Sequence, residues 1–339
     1  MLAGSAFQRP PEKYPFWSGT DGALHFQHVP NRLLDVFGRW DTMFYVDIAT
    51  RGYGPLPAEG WNYHAAFFPL MPALMRGLSE LAGCSPFVAG IVISNVLLWF
   101  AAVGLLRLVT ASHGAGAARL AVIGLLCFPV TTFFSVPYAE SLALFLAVLA
   151  FNAAREGRNV LSGLAVALAL LARPNGWILA VAIALAPWPR RAVRISIAAA
   201  GLLVLLVLQR AAVGETFYFL RVQEGWGRTL GVPFLALFST ARSADHHVFA
   251  LLGIGLAVLM LVRRRFREYW LFSVLNLLLP LSTGSLQSSH RFVQANFPLW
   301  STAAVELEQR PRARVAVAVV LLVAMCVYAF RWGAAYPPN

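Results

Sequence analysis

Residues 86–107 read PFVAGIVISNVLLWFAAVGLLR, and no charged side chain interrupts them before Arg107. About 20 apolar residues in helical form cross the hydrocarbon core of a bilayer. A backbone in that core must satisfy its own hydrogen bonds, which a helix does. Working outward from this run, further candidate spans follow at 118–135, 139–154, 159–172, 176–189, 193–210, 246–262, 269–286, 292–305 and 313–331. The segment 65–83 is apolar but carries Arg76 and Glu80; it reads as a surface helix, with a true span as the alternative. The 339-residue chain is 59% hydrophobic and 12% charged, against about 25% charged for a soluble domain. These runs dictate an all-α polytopic membrane protein with about ten transmembrane helices.

The net charge of +12 does not describe a nucleic-acid binder. The basic residues are scattered between hydrophobic runs, whereas a nucleic-acid surface gathers them on one polar face. They fit the positive-inside rule. Loops holding Arg107 and Arg119; Arg155 and Arg158; Arg190, Arg191 and Arg194; the run RRRFR at 263–267; and Arg310, Arg312 and Arg314 alternate with poorer ones, and read as cytoplasmic. Asp41, Asp47, Tyr138, Glu140, Arg173, the long segment 211–245 and SSHR at 288–291 then share the extracytoplasmic side. All but one of the 27 basic residues are arginine and alanine is abundant, a bias that points to a GC-rich bacterial genome and so to a bacterial inner or plasma membrane.

Three parts follow. Residues 1–38 hold Pro10, Pro11, Pro15 and Gly19 and read as irregular, without a secretory signal. Residues 39–83 form an outer loop with interfacial helices and a turn at GYGPLPAEG, and residues 84–339 form the multi-span region. An outer loop so early calls for a spanning helix before it or an exported N-terminus, so a first helix is expected to be missing, through a late assigned start codon or genuine loss. Cys84, Cys127 and Cys326 are dispersed and odd in number; they read as small buried hydrophobes, neither a disulfide framework nor a zinc site.

Within the outer loop, RWDTMFYVDIATRGY (39–53) presents Asp41 where membrane meets water. Ionisable groups there are functional candidates. On a helix Trp40, Phe44 and Asp47 share one face while Asp41, Tyr45 and Ile48 share another, so the two acids do not form an obvious paired-carboxylate site. Asp41 is either a functional acid, or a helix cap or partner of Arg39. Arg173, ahead of the turn Pro174-Asn175-Gly176, either contacts a phosphate or snorkels to the interface. Glu140 begins a span, where a helix dipole favours an acid; alternatively it positions Arg173 or Arg291, or binds acceptor hydroxyls. His290-Arg291 is a loop anchor or a second phosphate-binding pair. His64 binds substrate or packs at the interface. His246-His247 diverge on a helix, and Asp245 does not complete a metal site. The aromatic runs Phe67-Phe68, Phe133-Phe134 and Tyr218-Phe219 fit an interface belt or a greasy lateral groove. No P-loop, GxGxxG element or GxSxG elbow occurs.

The stretch WDTMFYVDIATRGY resembles the W-D-x-x-x-Y-x-x-I-A-x-x-G-Y signature of the PIG-V family, mannosyltransferases that add the second mannose in GPI-anchor assembly, and their bacterial relatives. AFFPLMP (66–72) resembles the family's A-F-F-P-x-x-P, PYAESL (137–142) its P-Y-x-E-S-L, ARPNG (172–176) its R-P-x-G turn, and FLRVQEGWGR (219–228) a loop ending in W-G-R. The resemblance implies a GT-C glycosyltransferase: a transmembrane helix bundle with interfacial helices and a catalytic acid in the first extracytoplasmic loop. Asp41 matches that acid; Asp47 falls on an unmatched position and is expected to be a solvated or capping residue. The implied reaction moves a hexose, expected to be mannose, from a polyprenyl-phosphate carrier to a glycolipid, polysaccharide or protein acceptor. Asp41 would be general base, and Arg39, Tyr45, His64, Tyr138, Glu140, Arg173, Asn175, His290 and Arg291 would bind substrate. A lipid-phosphate leaving group needs electrostatic stabilisation, which the arginine fork suits. One displacement would invert the anomeric centre. A carrier-linked donor has no nucleotide diphosphate, so no cofactor and no metal are expected; the partners are the bilayer, donor and acceptor, with no nucleic acid. The alternatives are a transporter or flippase of lipid-linked sugars, or a non-catalytic assembly subunit.

Overall fold

The computed structural model describes residues 28–57, 60–238, 244–284 and 286–334; most of the segment expected to be irregular at 1–38 lies outside them. The described residues contain no strand. The helices of seven residues or more are α1 (Thr42–Arg51), α2 (Leu70–Ala82), α3 (Pro86–Leu126), α4 (Glu140–Arg155), α5 (Asn159–Ala172), α6 (Gly176–Leu185), α7 (Arg191–Val213), α8 (Ala244–Val262), α9 (Trp270–Leu281), α10 (Ser289–Ala295), α11 (Phe297–Glu308) and α12 (Pro311–Gly333). The protein is an all-α polytopic membrane protein.

Among the described residues four helices are long and apolar enough to cross a membrane: α3, α7, α8 from Asp245, and α12. The other expected spans are shorter, and two are broken. The run 118–135 ends as a helix at Leu126 and resumes as a single turn, Thr132–Ser135; Pro129 lies in the gap and supplies no backbone donor. The run 292–305 divides at Asn296, whose ψ of 69° leaves the helical region, with Pro298 next to it in the first turn of α11. Inside α3, Gly114 at φ 87° turns the chain between two helical legs. The segment 65–83 gives α2, whose Arg76 donates to the carbonyls of Ala49 (2.6 Å) and Thr50 (3.0 Å) and so closes the C-terminal end of α1.

The arginine-rich turns collect at one end of the bundle. Arg155 donates to the Leu108 and Ala111 carbonyls, both at 3.1 Å. Arg194 reaches Asn159 and the Trp188 and Pro189 carbonyls. Arg263 and Arg265 each stand 3.6 Å from Glu306. His113 packs on Phe266 at 4.3 Å between ring centres. From that end α4 runs 16 residues, about 24 Å at 1.5 Å per residue, to Glu140 at the opposite end. The charge alternation read from the loops therefore corresponds to a spatial division of the bundle.

Between the ends, Phe151 is an aromatic hub, with Tyr269, Phe272 and Phe297 rings 4.8, 5.5 and 5.9 Å away. Helices α5 and α7 pack closely because small residues meet at the crossing, as in many membrane helix pairs. A Cβ on Gly201 would lie 2.6 Å from the Ala167 Cα, and one on Gly163 2.9 Å from Ile197 Cβ. Backbone cannot yield there as a flexible side chain would. Gly201→Val is expected to cost about 1–3 kcal/mol through overpacking, read as a lower thermal midpoint of the detergent-purified protein, while Leu203→Val on the exposed face of α7 leaves it nearly unchanged.

Candidate active site

The site is built from the turn before α1. Arg39, 1% exposed, directs its guanidinium at Asp35 (3.5 Å) and donates to the Asp35 and Gly38 carbonyls at 2.9 and 2.6 Å. Trp40 takes φ 44°, the left-handed region that costs a bulky residue roughly 1–2 kcal/mol. Its ring packs edge-on against Trp332 at 4.8 Å, and Trp332 Nε1 donates to the Val36 carbonyl at 2.7 Å. The Tyr138 hydroxyl donates to the Arg39 carbonyl and accepts from the Asp41 N–H, both at 2.9 Å. The backbone on either side of Trp40 is thus fastened to the residues just ahead of α4. Asp41 occupies the N-cap position of α1, yet its side chain makes no capping hydrogen bond.

That carboxylate meets Arg291 instead. Arg291 Nη1 donates to Asp41 Oδ2 at 2.8 Å, and its Nε donates to Glu140 Oε1 at 2.6 Å, with Nη2 also bonded to Glu140. Arg173 Nη1 stands 2.8 Å from the same Glu140 oxygen. Arg291 also lies over the Phe133 and Tyr138 rings, 5.0 and 5.1 Å from their centres, where a cation is attracted to the π face. Two guanidiniums and two carboxylates form a cluster of zero net charge. Glu140 is 1% exposed and is its floor; the Asp41 side chain is 29% exposed and is its open edge. Glu140 Oε2 is buried without a hydrogen-bond partner.

Around this cluster the other expected residues take distinct positions. Arg173 ends α5 in extended conformation, and the R-P-N-G turn needs its glycine for space: a Cβ on Gly176 would sit 2.2 Å from the Ala169 carbonyl oxygen. Asn175 donates to Asn276 of α9 at 3.4 Å. Tyr45 is buried with its ring 6.0 Å from Tyr138. Burial first, then the Glu140 charge, push its phenol above the ordinary range; for Tyr138 burial and then Asp41 do the same. Both are neutral hydroxyls.

Arg39, His290 and Asp47 stand away from the cluster. Arg39 braces the turn through Asp35 and sits behind the cluster. His290 and Arg291 do not act as a pair: Arg291 faces Asp41, while His290 is buried against Phe133 and His246, at 5.4 and 5.2 Å. Burial, followed by His246 and Arg291, depresses the His290 imidazole well below the ordinary range, which leaves it neutral and unsuited to hold a phosphate by charge. Asp47 lies inside α1 and does not cap it, but is solvated as expected, at 39% exposure; its Oδ2 stands 2.8 Å from His64 Nε2, and the hydrogen bond from His64 holds its carboxyl below the ordinary range.

Sequence reading missed that Asp47–His64 pair, the Arg331–Asp245 ion pair at 2.6 Å and the bracing role of Trp332. Nothing in spacing signals contacts across 17, 86 or 296 residues. The W-G-R motif did contain a signal: Trp226 packs on Tyr63, Phe67 and Phe44 at 5.0, 5.9 and 6.1 Å, which joins the late loop to the first one.

Removing one member of a buried ion pair leaves an uncompensated charge, at about 3–5 kcal/mol. Arg291→Met is expected to destabilise by about that amount, and Glu140→Gln in the same chain to recover part of it, with a coupling energy above 1 kcal/mol in a double-mutant cycle measured by denaturant or thermal unfolding.

Residues 22–186 match the model of the family described as mannosyltransferase (PIG-V). No curated protein and no solved structure matches the chain. The matched stretch supplies Asp41, Tyr138, Glu140 and Arg173, while Arg291 and Trp226 come from beyond it. Through residues 22–186, just under half of its length, the chain is similar to the mannosyltransferase (PIG-V) family.

Proposed function

We propose that this protein transfers a hexose, mannose by the family's description, from a polyprenyl-phosphate carrier to a hydroxyl of a glycolipid, polysaccharide or protein at the extracytoplasmic membrane surface. The observation that carries this reading is the Asp41–Arg291–Glu140–Arg173 cluster, an exposed carboxylate beside two guanidiniums anchored on a buried one. Collection of the arginine-rich turns at the other end of the bundle supports the orientation, because such turns are retained in the cytoplasm.

The chemistry follows from the charges. In the resting cluster Asp41 is occupied by Arg291. A donor phosphate is an anion with several acceptor oxygens, and arginine binds such groups by two parallel hydrogen bonds. As the phosphate takes the Arg291 Nη1 donor, the Asp41 carboxylate is released. The acceptor hydroxyl then attacks the anomeric carbon while Asp41 takes its proton. The bond from the anomeric carbon to the carrier's phosphate oxygen breaks, and the electron pair stays on the phosphate, stabilised by Arg291 and Arg173. Glu140 keeps both guanidiniums in place throughout and forms no covalent intermediate, so the single displacement inverts the anomeric centre. No step calls on a metal.

Asp41→Asn keeps the shape and removes the base. We expect kcat for transfer from polyprenyl-phosphate mannose to fall by about 10²–10⁴-fold, with the donor KM unchanged or lower because Arg291 no longer has to leave Asp41, in a radiolabel assay on purified, reconstituted and folded protein. A wild-type rate in Asp41→Asn contradicts the assignment. Passage of lipid-linked sugar across the bilayer with no new glycosidic bond favours the flippase reading.

A further inference from the structure

A second polar site stands beside the first and takes no part in the steps above. From the N-cap Asp41, Phe44 and Asp47 follow at intervals of three, so Asp47 lies about 9 Å along the helix axis from Asp41 and about 120° around it, with Phe44 between them. Asp47 and His64 are bonded at 2.8 Å, yet their side chains keep 39% and 26% exposure. They are a prepared pair open to solvent. Behind them stands a wall of rings: Phe44 stacks on Phe67 at 4.4 Å and 17°, and meets His64 edge-on at 5.6 Å and Trp226 at 6.1 Å. Two hydrogen bonds fasten the loop that carries Trp226, from Tyr63 to the Gly225 carbonyl at 3.2 Å and from the Asn62 N–H to the Tyr218 hydroxyl at 3.0 Å. Arg228 lies over Trp226 at 5.7 Å.

The combination identifies a ligand class. A pyranose has an apolar C–H face and a rim of hydroxyls that both donate and accept. The partly exposed Trp226 offers a broad ring for the first; a carboxylate acceptor beside an imidazole that donates or accepts suits the second. We propose that Asp47 and His64, with Trp226 as the wall, bind the sugar ring of the acceptor and set which of its hydroxyls reaches Asp41. The inference rests on the transferase reading for the acceptor's role, though not for the binding itself.

The test uses the full-length protein in lipid nanodiscs with methyl α-D-mannopyranoside as probe, followed by saturation-transfer NMR and titration. Asp47→Asn and His64→Gln are expected to weaken the glycoside about tenfold or more, as loss of a hydrogen bond to a charged group does, while Leu203→Val, on the exposed face of α7, binds it like the wild type. In the transfer assay the same two variants are expected to raise the acceptor KM about tenfold, with donor KM unchanged and kcat within about threefold, a split that general loosening of the loop does not produce. Equal binding by wild type, Asp47→Asn and His64→Gln, or no binding by the wild type, overturns the subsite. Glycoside binding that depends on Asp47 and His64, in a protein that transfers nothing from polyprenyl-phosphate mannose, overturns the transferase reading and leaves the subsite standing.

Discussion

A carboxylate buried as deeply as Glu140 is tolerated only with compensating charge and hydrogen bonds, and the arrangement of the site follows from meeting that need. Arg291 comes from 151 residues further along the chain and Arg173 from the turn after α5. Because Arg291 has donors left after serving Glu140, it reaches Asp41 across 250 residues. The acid of the first loop is thereby tied to α4, α5 and α10 through one oxygen atom of Glu140. The turn before α1 acquires a fixed position relative to the bundle.

The same economy applies to the aromatic residues. Trp332, near the end of α12, holds Trp40 in a strained backbone conformation and reaches Val36; Trp226 closes on Phe44 and Phe67 from the late loop. The segment 36–67 is therefore clamped from two sides, and Asp41, Phe44 and Asp47 lie between the clamps. In the proposed reaction a neutral cluster receives an anionic donor, and the exchange of Arg291 from carboxylate to phosphate couples donor arrival to release of the base. Binding order would then be donor first, acceptor second, set by electrostatics alone.

Helix class was legible because bilayer thickness imposes a long apolar run, and the run at 86–107 satisfies it plainly. Helix ends were less so: Gly114, Pro129 and Asn296 act through local backbone geometry that average hydrophobicity does not register. Asp41, Glu140 and Arg173 stood out as charges at the edges of apolar segments, and Glu140 was read beforehand as a candidate to position Arg173 or Arg291. Arg39 misled because the same signal, a charge near the interface, also describes a residue that braces a turn through Asp35. His290 misled because adjacency in sequence says nothing of direction: neighbours on a helix point about 100° apart. Asp47 was set aside for lack of a family match, yet its partner lies in the next loop, a relation that only the folded chain reveals.

The central claim is that the Arg291–Asp41 bond opens to receive the donor phosphate. An experimental structure of the protein in nanodiscs with a non-transferable polyprenyl-phosphate mannose analogue tests it directly. The account predicts phosphate density between Arg291 and Arg173, with the Asp41 carboxylate released and turned toward the anomeric carbon. Donor phosphate bound elsewhere, with the Arg291–Asp41 bond intact, would contradict it.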